Sequence, residues 1–316
     1  MLSIKKCRAV IALLLALICL SGCSVPDSTT GSTTDGETGQ TDKIQSTDFR
    51  LSTMSFNMKF ENLTGGGDPI HTWARRKNGI AECLETYDAD IVGTQELQCW
   101  QYDELMELLG DSWEGVGLPR YETNSERCSI IYNTETIDYI SGETIWLSET
   151  PEVVGSKSWG SAQPRILTYG KFLHKPSQTE FYFFNTHLDH QSEEARLNQL
   201  DMVVSYMDKY VADYPVILTG DFNIYITNEG FEPLTSKSDV YDNSFTPFLE
   251  QLGSEMKTTH GFNGGTSGSP IDFIFYSTAT LNIESTQIIH DVYDGRYYLS
   301  DHYPVHSIIT LKNTLG

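Results

Sequence analysis

The chain has 316 residues, with 43 acidic against 21 basic side chains and a formal net charge of −22. A surface of that sign repels polyanions at long range, which disfavours nucleic acid as a partner without excluding it, because bound divalent cations offset charge locally. With 39% hydrophobic and 20% charged residues the composition is that of an ordinary globular protein, neither fibrous nor built of membrane spans.

In chain order, the first element reads as an export signal. Lys5, Lys6 and Arg8 give a positive start, and Ala9 to Leu20 form an apolar run too short to span a bilayer well. The run ends in Leu20-Ser21-Gly22-Cys23, which resembles the bacterial lipobox, where the signal is cut before a cysteine that carries lipid. Residues 1–22 are therefore expected to be a lipoprotein signal peptide, and Cys23 the lipidated residue. The implied location is the outer face of the cell membrane, or the outer membrane where there is one. Residues 23–47 are rich in Ser, Thr, Gly, Asp and Gln and too poor in apolar groups to offset the entropy of ordering, so they read as a disordered tether. Loss of the three basic groups in residues 1–22 takes the net charge from −22 to −25. Residues 48–316 contain no repeat and no second linker, and are expected to form one monomeric domain that meets the membrane only through its anchor. Cys83, Cys99 and Cys128 cannot all pair within one chain. Cys83 lies in a helical pattern and Cys128 opens an apolar strand, so both read as buried small hydrophobes.

Leu51 to Asn57 alternates broadly and predicts a strand. Trp73, Lys77, Ile80, Ala81 and Leu84 fall at helical spacing and predict a helix over 72–86. Ile91 to Glu96 predicts a short buried strand and Trp100 to Leu109 a second helix. Ser129 to Tyr132, Ile166 to Leu173 and Glu180 to Leu188 are rich in β-branched and aromatic residues and predict strands. Glu193 to Val211 reads as a long amphipathic helix with Leu197, Leu200, Val204 and Met207 on one side. Strands follow at Pro215 to Gly220, Ile271 to Tyr276, Leu281 to Ile289 and Pro304 to Leu311. Strands outnumber helices without strict alternation, which favours two packed sheets flanked by helices over one parallel sheet.

The chemistry-bearing residues cluster at the ends of these strands. Asn57 ends the first and Glu96 the second; His187 and Asp189 end a third, Asp221 and Asn223 a fourth. Asp272 opens a strand, and Asp301 with His302 precedes the last one. Each alone is as well explained as a turn cap. As a set they supply hard oxygen ligands for a cation, a histidine to take a proton from water, and donors for phosphate oxygens, which is what metal-assisted phosphoester hydrolysis requires.

The segments Met54-Ser-Phe-Asn57, Ile91-Val-Gly-Thr-Gln-Glu96, Asn185-Thr-His187, Leu218-Thr-Gly-Asp221-Phe-Asn223, Ile271-Asp272-Phe-Ile and Ser300-Asp301-His302-Tyr-Pro resemble, in order, the endonuclease/exonuclease/phosphatase superfamily. The resemblance implies a four-layer α/β/β/α sandwich of the DNase I type, with two mainly antiparallel sheets between helices. It further implies a Mg²⁺-dependent phosphoesterase, with Mn²⁺ as a possible substitute. By matching position, Glu96 is the principal metal ligand, Asp301 completes the metal site, and Asn57 contacts metal or phosphate. His302 is the general base and Asp272 fixes its tautomer. His187 donates to the phosphoryl oxygen or leaving group, while Asp221 and Asn223 orient water and stabilise the transition state. Glu126 corresponds to a position where some members pair a glutamate with the Asn-Thr-His histidine; an exposed loop carboxylate is the alternative. Where many members carry a second acid, two residues after the first Asn, this chain has Lys59, which puts a second metal in doubt.

Trp146-Leu-Ser-Glu-Thr-Pro151 and Gln163-Pro-Arg165 resemble an exported bacterial branch near the deadenylase side of the family. Arg165 is a candidate phosphate clamp, with a surface salt bridge as the alternative. His190 is a candidate for extending the substrate pocket, as is His260. The expected substrate is a phosphorylated small molecule, a nucleotide or a lipid headgroup. Two other classes fit parts of the sequence: a non-catalytic ligand-binding surface lipoprotein, and the same fold acting on a glycan or lipid headgroup.

Overall fold

The computed structural model describes residues 49–61, 69–121 and 125–312. The expected signal peptide, tether and Cys23 lie outside them. In chain order the strands are β1 (Arg50–Asn57), β2 (Ile91–Gln95), β3 (Leu97–Gln98), β4 (Trp113–Val116), β5 (Glu126–Arg127), β6 (Ile130–Asn133), β7 (Ile137–Trp146), β8 (Ile166–His174), β9 (Thr179–His187), β10 (Val216–Asp221), β11 (Tyr241–Asn243), β12 (Asp272–Ser277), β13 (Leu281–Ile288), β14 (Val292–Tyr293), β15 (Tyr297–Tyr298) and β16 (Val305–Leu311). The helices are α1 (Trp73–Thr86), α2 (Cys99–Leu109), α3 (Glu193–Met207) and the single turns α4 (Glu232–Thr235) and α5 (Leu249–Leu252).

Two six-stranded sheets carry the fold. The first runs β13-β16-β1-β2-β6-β4 and the second β11-β12-β10-β9-β8-β7. Pairing is antiparallel except for β1 with β2 and β9 with β10. A parallel pair needs a crossover, and here α1 and α3 supply it, so each sheet carries a helix over its outer face. Alternation along β1 shows the layering. Met54 and Phe56 pack outward with Val92 and Ile131 against Trp73, Ile80, Leu84 and Leu105 of α1 and α2. Leu51 belongs to the core between the sheets, with Phe172, Phe183 and Ile217. The result is a DNase I-like α/β sandwich.

Register places the strand ends of the second sheet abreast. His187 pairs with Asp221 across β9 and β10, and Asp221 with Asp272 across β10 and β12. In the first sheet Asn57 pairs with Gln95, so Glu96 lies one residue beyond, and Ser55 lies opposite Val305. That pairing brings Asp301 and His302, which precede β16, to the Asn57 end of β1.

The structure departs from the sequence expectation in several elements. The ten-residue β7 carries no apolar alternation because it is an edge strand, exposed from Asp138 to Glu143. The short β4 and β11 are likewise outside the predicted set. Helix α3 stops at Met207 instead of Val211: turns closed by Tyr210 N to Met207 O and Asp213 N to Tyr210 O redirect the chain toward β10. Its buried face is Ala195, Gln199, Leu200, Val203, Val204 and Met207, and Leu197 is exposed.

Candidate active site

The strand ends of both sheets meet at one edge of the sandwich. His302 Nδ1 lies 2.9 Å from Asp272 Oδ2 and 3.9 Å from Asp221 Oδ2. Thr258 Oγ1 accepts from the Ile271 and Asp272 amides, and Thr259 bridges to His302, so a loop of irregular backbone holds both members of the pair. Burial disfavours a charged imidazole, but the Asp272, Asp221 and Asp301 carboxylates outweigh it and push the His302 pKa up to about 10. Asp221, fully enclosed, is lowered: burial works against its charge, and His187, His302, the Asn57 amide and the Asn223 backbone N–H overcome it. Asn57 Nδ2 donates to Asp221 Oδ2 at 2.9 Å and Asn223 N to Asp221 Oδ1 at 2.9 Å.

His187 is held from both sides. Its Nδ1 is 2.7 Å from Glu126 Oε1 and its Nε2 3.6 Å from Asp221 Oδ2. Glu126 is buried, not an exposed loop carboxylate, and its second oxygen takes Arg120 Nη1 at 2.5 Å. Burial raises a carboxylate pKa, yet His187, Arg120 and Arg165 drive that of Glu126 well below the usual range. With both oxygens committed, Glu126 orients His187 and is not free to meet substrate.

Glu96 and Asp301 come from different strands and converge on one cation, the Lys59 ammonium, at 3.4 and 3.0 Å. Glu96 has a left-handed backbone (φ 58°), which turns its side chain back across the strand end. Its carboxylate also accepts from Asn57 Nδ2 (3.4 Å) and Phe60 N (3.2 Å). Two hard carboxylates that already share one positive nitrogen fit a divalent cation by position and by donor type. Asn57 donates its amide nitrogen to Glu96 and to Asp221, and its oxygen accepts from Lys59 N. Asp221, Asp272 and His302 also bring one ligand atom each within 4.8 Å of one another. Both Asp221 oxygens and Asp272 Oδ2 are engaged by Asn57, Asn223 and His302, while Asp272 Oδ1 is buried without a hydrogen bond; Glu96 and Asp301 are the more accessible carboxylates.

Arg165 is buried rather than a surface ion-pair partner. It lies 3.1 Å from His190 Nδ1, 3.8 Å from Asp189 Oδ2 and 3.9 Å from Glu126 Oε1, and its Nε makes no hydrogen bond. His190 is exposed beside it, and burial and the Arg165 charge lower its pKa. The Asn223 amide donates to Leu188 O at 3.0 Å, which fixes the turn. His260 stacks on Tyr303 at 3.9 Å, and Tyr293 lines a separate 670 Å³ cavity with Cys83 and Asp291. Cys83, Cys99 and Cys128 are all free thiols.

Two positioning residues escaped sequence reasoning. Asn185 ties the sheets beneath the site: its amide donates to Thr94 O and Ser129 O, and its oxygen accepts from Gln95 Nε2 and Thr219 Oγ1. A polar residue inside the apolar run of β9 was the available signal. Arg76, 1% exposed, donates to the carbonyls of His71, Met58, Leu299 and Lys59. Its place on the apolar stripe between Trp73 and Ile80 marked it as inward-facing.

The sequence of residues 54–302 matches the Endonuclease/Exonuclease/phosphatase family. The chain belongs to this family. Members of the endonuclease/exonuclease/phosphatase family hydrolyse phosphoester bonds. The chain is 31% identical to a mannosyl-6-phosphatase of Bacteroides thetaiotaomicron, with a TM-score of 0.74 over 83% of this chain and 100% of that one. It is 29% identical to another family protein of the same organism (TM-score 0.74; 84% and 99% covered). The catalytic domain of human Nocturnin with bound sulfate, 21% identical, shares the fold (TM-score 0.66; 83% and 95% covered).

Proposed function

We propose that the protein is a Mg²⁺-dependent phosphoesterase acting on a phosphorylated small molecule, with a sugar phosphate monoester as the leading class. The observation that carries this reading is the His302–Asp272 pair at 2.9 Å, set beside two carboxylates that share a cation. Asp272 accepts from Nδ1, which leaves Nε2 of His302 to take a proton from water. While the surrounding carboxylates are uncompensated His302 keeps its proton; positive charge on Glu96 and Asp301 weakens that hold. A bound Mg²⁺ at Glu96 and Asp301 supplies Lewis-acid polarisation of the phosphoryl oxygen. His187, fixed by Glu126, donates to a phosphoryl or leaving-group oxygen, and Arg165 adds a fixed positive charge for the same anion.

The substrate class rests on the mannosyl-6-phosphatase likeness and on the acidic net charge of −22, which disfavours a polyanion. The decisive experiment measures phosphate release from hexose 6-phosphates and a nucleoside monophosphate, and formation of the cleavage products of a phosphodiester, single-stranded RNA and phospholipid, each with Mg²⁺ and with chelator. Activity on none of them, or activity indifferent to chelation, rejects the reading.

The segment ending in Cys23 supports export and lipid anchoring of the same enzyme. Cell fractionation with the Cys23→Ala variant tests this: the anchored form is expected in the membrane fraction and the variant outside it.

A further inference from the structure

We propose that the Lys59 ammonium is a built-in occupant of the cation site, and that a divalent ion binds by displacing it. This rests on the metal-dependent reading above and adds what sets its cation affinity. Nζ stands 3.0 Å from Asp301 Oδ2 and 3.4 Å from Glu96 Oε2. Among the described residues no other ion pair engages either carboxylate. The side chain is only 31% exposed and also lies against the Phe60 ring, at 5.0 Å.

The backbone beneath it is held in place for this purpose. Lys59 has φ 54°, a left-handed conformation that costs a side-chain-bearing residue about 1 kcal/mol or more and persists only when its surroundings enforce it. Three side chains enforce it here. Asn57 Oδ1 accepts from Lys59 N at 3.1 Å, and Lys59 O accepts from Arg76 Nη2 at 2.9 Å and Gln101 Nε2 at 3.1 Å. Arg76 binds Leu299 O as well, at 2.7 Å, so one buried guanidinium fixes both the lysine and the segment that leads into Asp301. A lysine that merely covered the surface would need none of this.

An ammonium and a divalent ion cannot both sit between the same two carboxylates, since their repulsion at such range is uncompensated. Each ion bound therefore expels Lys59. Apparent cation affinity is weakened by the cost of breaking its two ion pairs.

The test is Mn²⁺ binding to metal-free protein without substrate, followed by electron paramagnetic resonance. Lys59→Asn, which tolerates the left-handed backbone, and Lys59→Gln are compared with wild type after circular dichroism confirms their fold. Both variants are expected to bind one Mn²⁺ roughly tenfold more tightly. In the wild type, acylation of Lys59 by an amine-reactive ester, read by peptide mass spectrometry, is expected to rise on adding Mn²⁺. Unchanged or weaker Mn²⁺ affinity in folded variants, or acylation indifferent to Mn²⁺, overturns displacement and leaves the phosphoesterase reading intact. Failure of all three proteins to bind Mn²⁺ overturns both.

Discussion

Gly93 of β2 faces Asn185 of β9 so closely that a methyl group on the glycine would stand 2.5 Å from Asn185 Oδ1 and 1.9 Å from Thr219 Oγ1. The glycine is there for space and not for an unusual backbone angle. It lets the polar amide of one sheet reach the carbonyls of the other. Gly93→Ala is expected to push the sheets apart, destabilising the fold by about 2 kcal/mol in urea titration and removing hydrolysis. A variant with wild-type stability and activity would refute this account of how the sheets are joined.

Asp272→Asn keeps the size of the side chain but removes the charge that fixes the His302 tautomer. The expected result is a fall in kcat of roughly a hundredfold or more with KM little changed, because the contact serves the proton transfer and not ground-state binding. Equal losses in kcat and in substrate affinity would instead show a general collapse of the pocket.

Stability in chelator should depend on pH through His302. The native pocket holds this proton more tightly than the unfolded chain, whose imidazoles titrate near 6.5, while the native value is pushed up to about 10. The stabilisation is thus complete below the unfolded value and lost as pH rises through the folded one. The gap in Tm between wild type and His302→Gln is expected to shrink steadily from pH 6 to pH 10. A gap independent of pH would contradict the assignment.

Glu126→Gln leaves Arg120 and the buried Arg165 without their shared carboxylate. Removing one partner of a buried charge cluster costs about 3 kcal/mol or more, and His187 loses the group that fixes its ring. Denaturant titration and kcat should both fall. Loss of activity alone, with full stability, would mean that the arginines find other partners.

The main strands and the strand-end residues were legible because buried runs of Val, Ile and Phe stop abruptly at Asn57, His187 and Asp221, and polar groups there demand a cation or donors. The edge strand β7 was not, since residues exposed on an edge show no alternation to read. Glu126 was visible only as a loosely placed carboxylate, because its meaning lies in a contact 61 residues away with His187. Arg76 acts on backbone carbonyls, which carry no residue-type signal, so no pattern of partners exists in the sequence to reveal it. The Asn57 and Asn223 amides donate to the Asp221 carboxylate and the Leu188 carbonyl, contacts between distant segments that no local pattern in the sequence reveals.

The residues at the site divide between the two sheets. Asn57, Glu96, Asp301 and His302 lie at the ends of the first sheet's strands, and His187, Asp221 and Asp272 at those of the second. The His302–Asp272 pair itself straddles the seam. On the proposed reading neither half of the sandwich holds a complete site, so turnover would report completed assembly of the whole molecule, and a partly folded chain would be chemically silent.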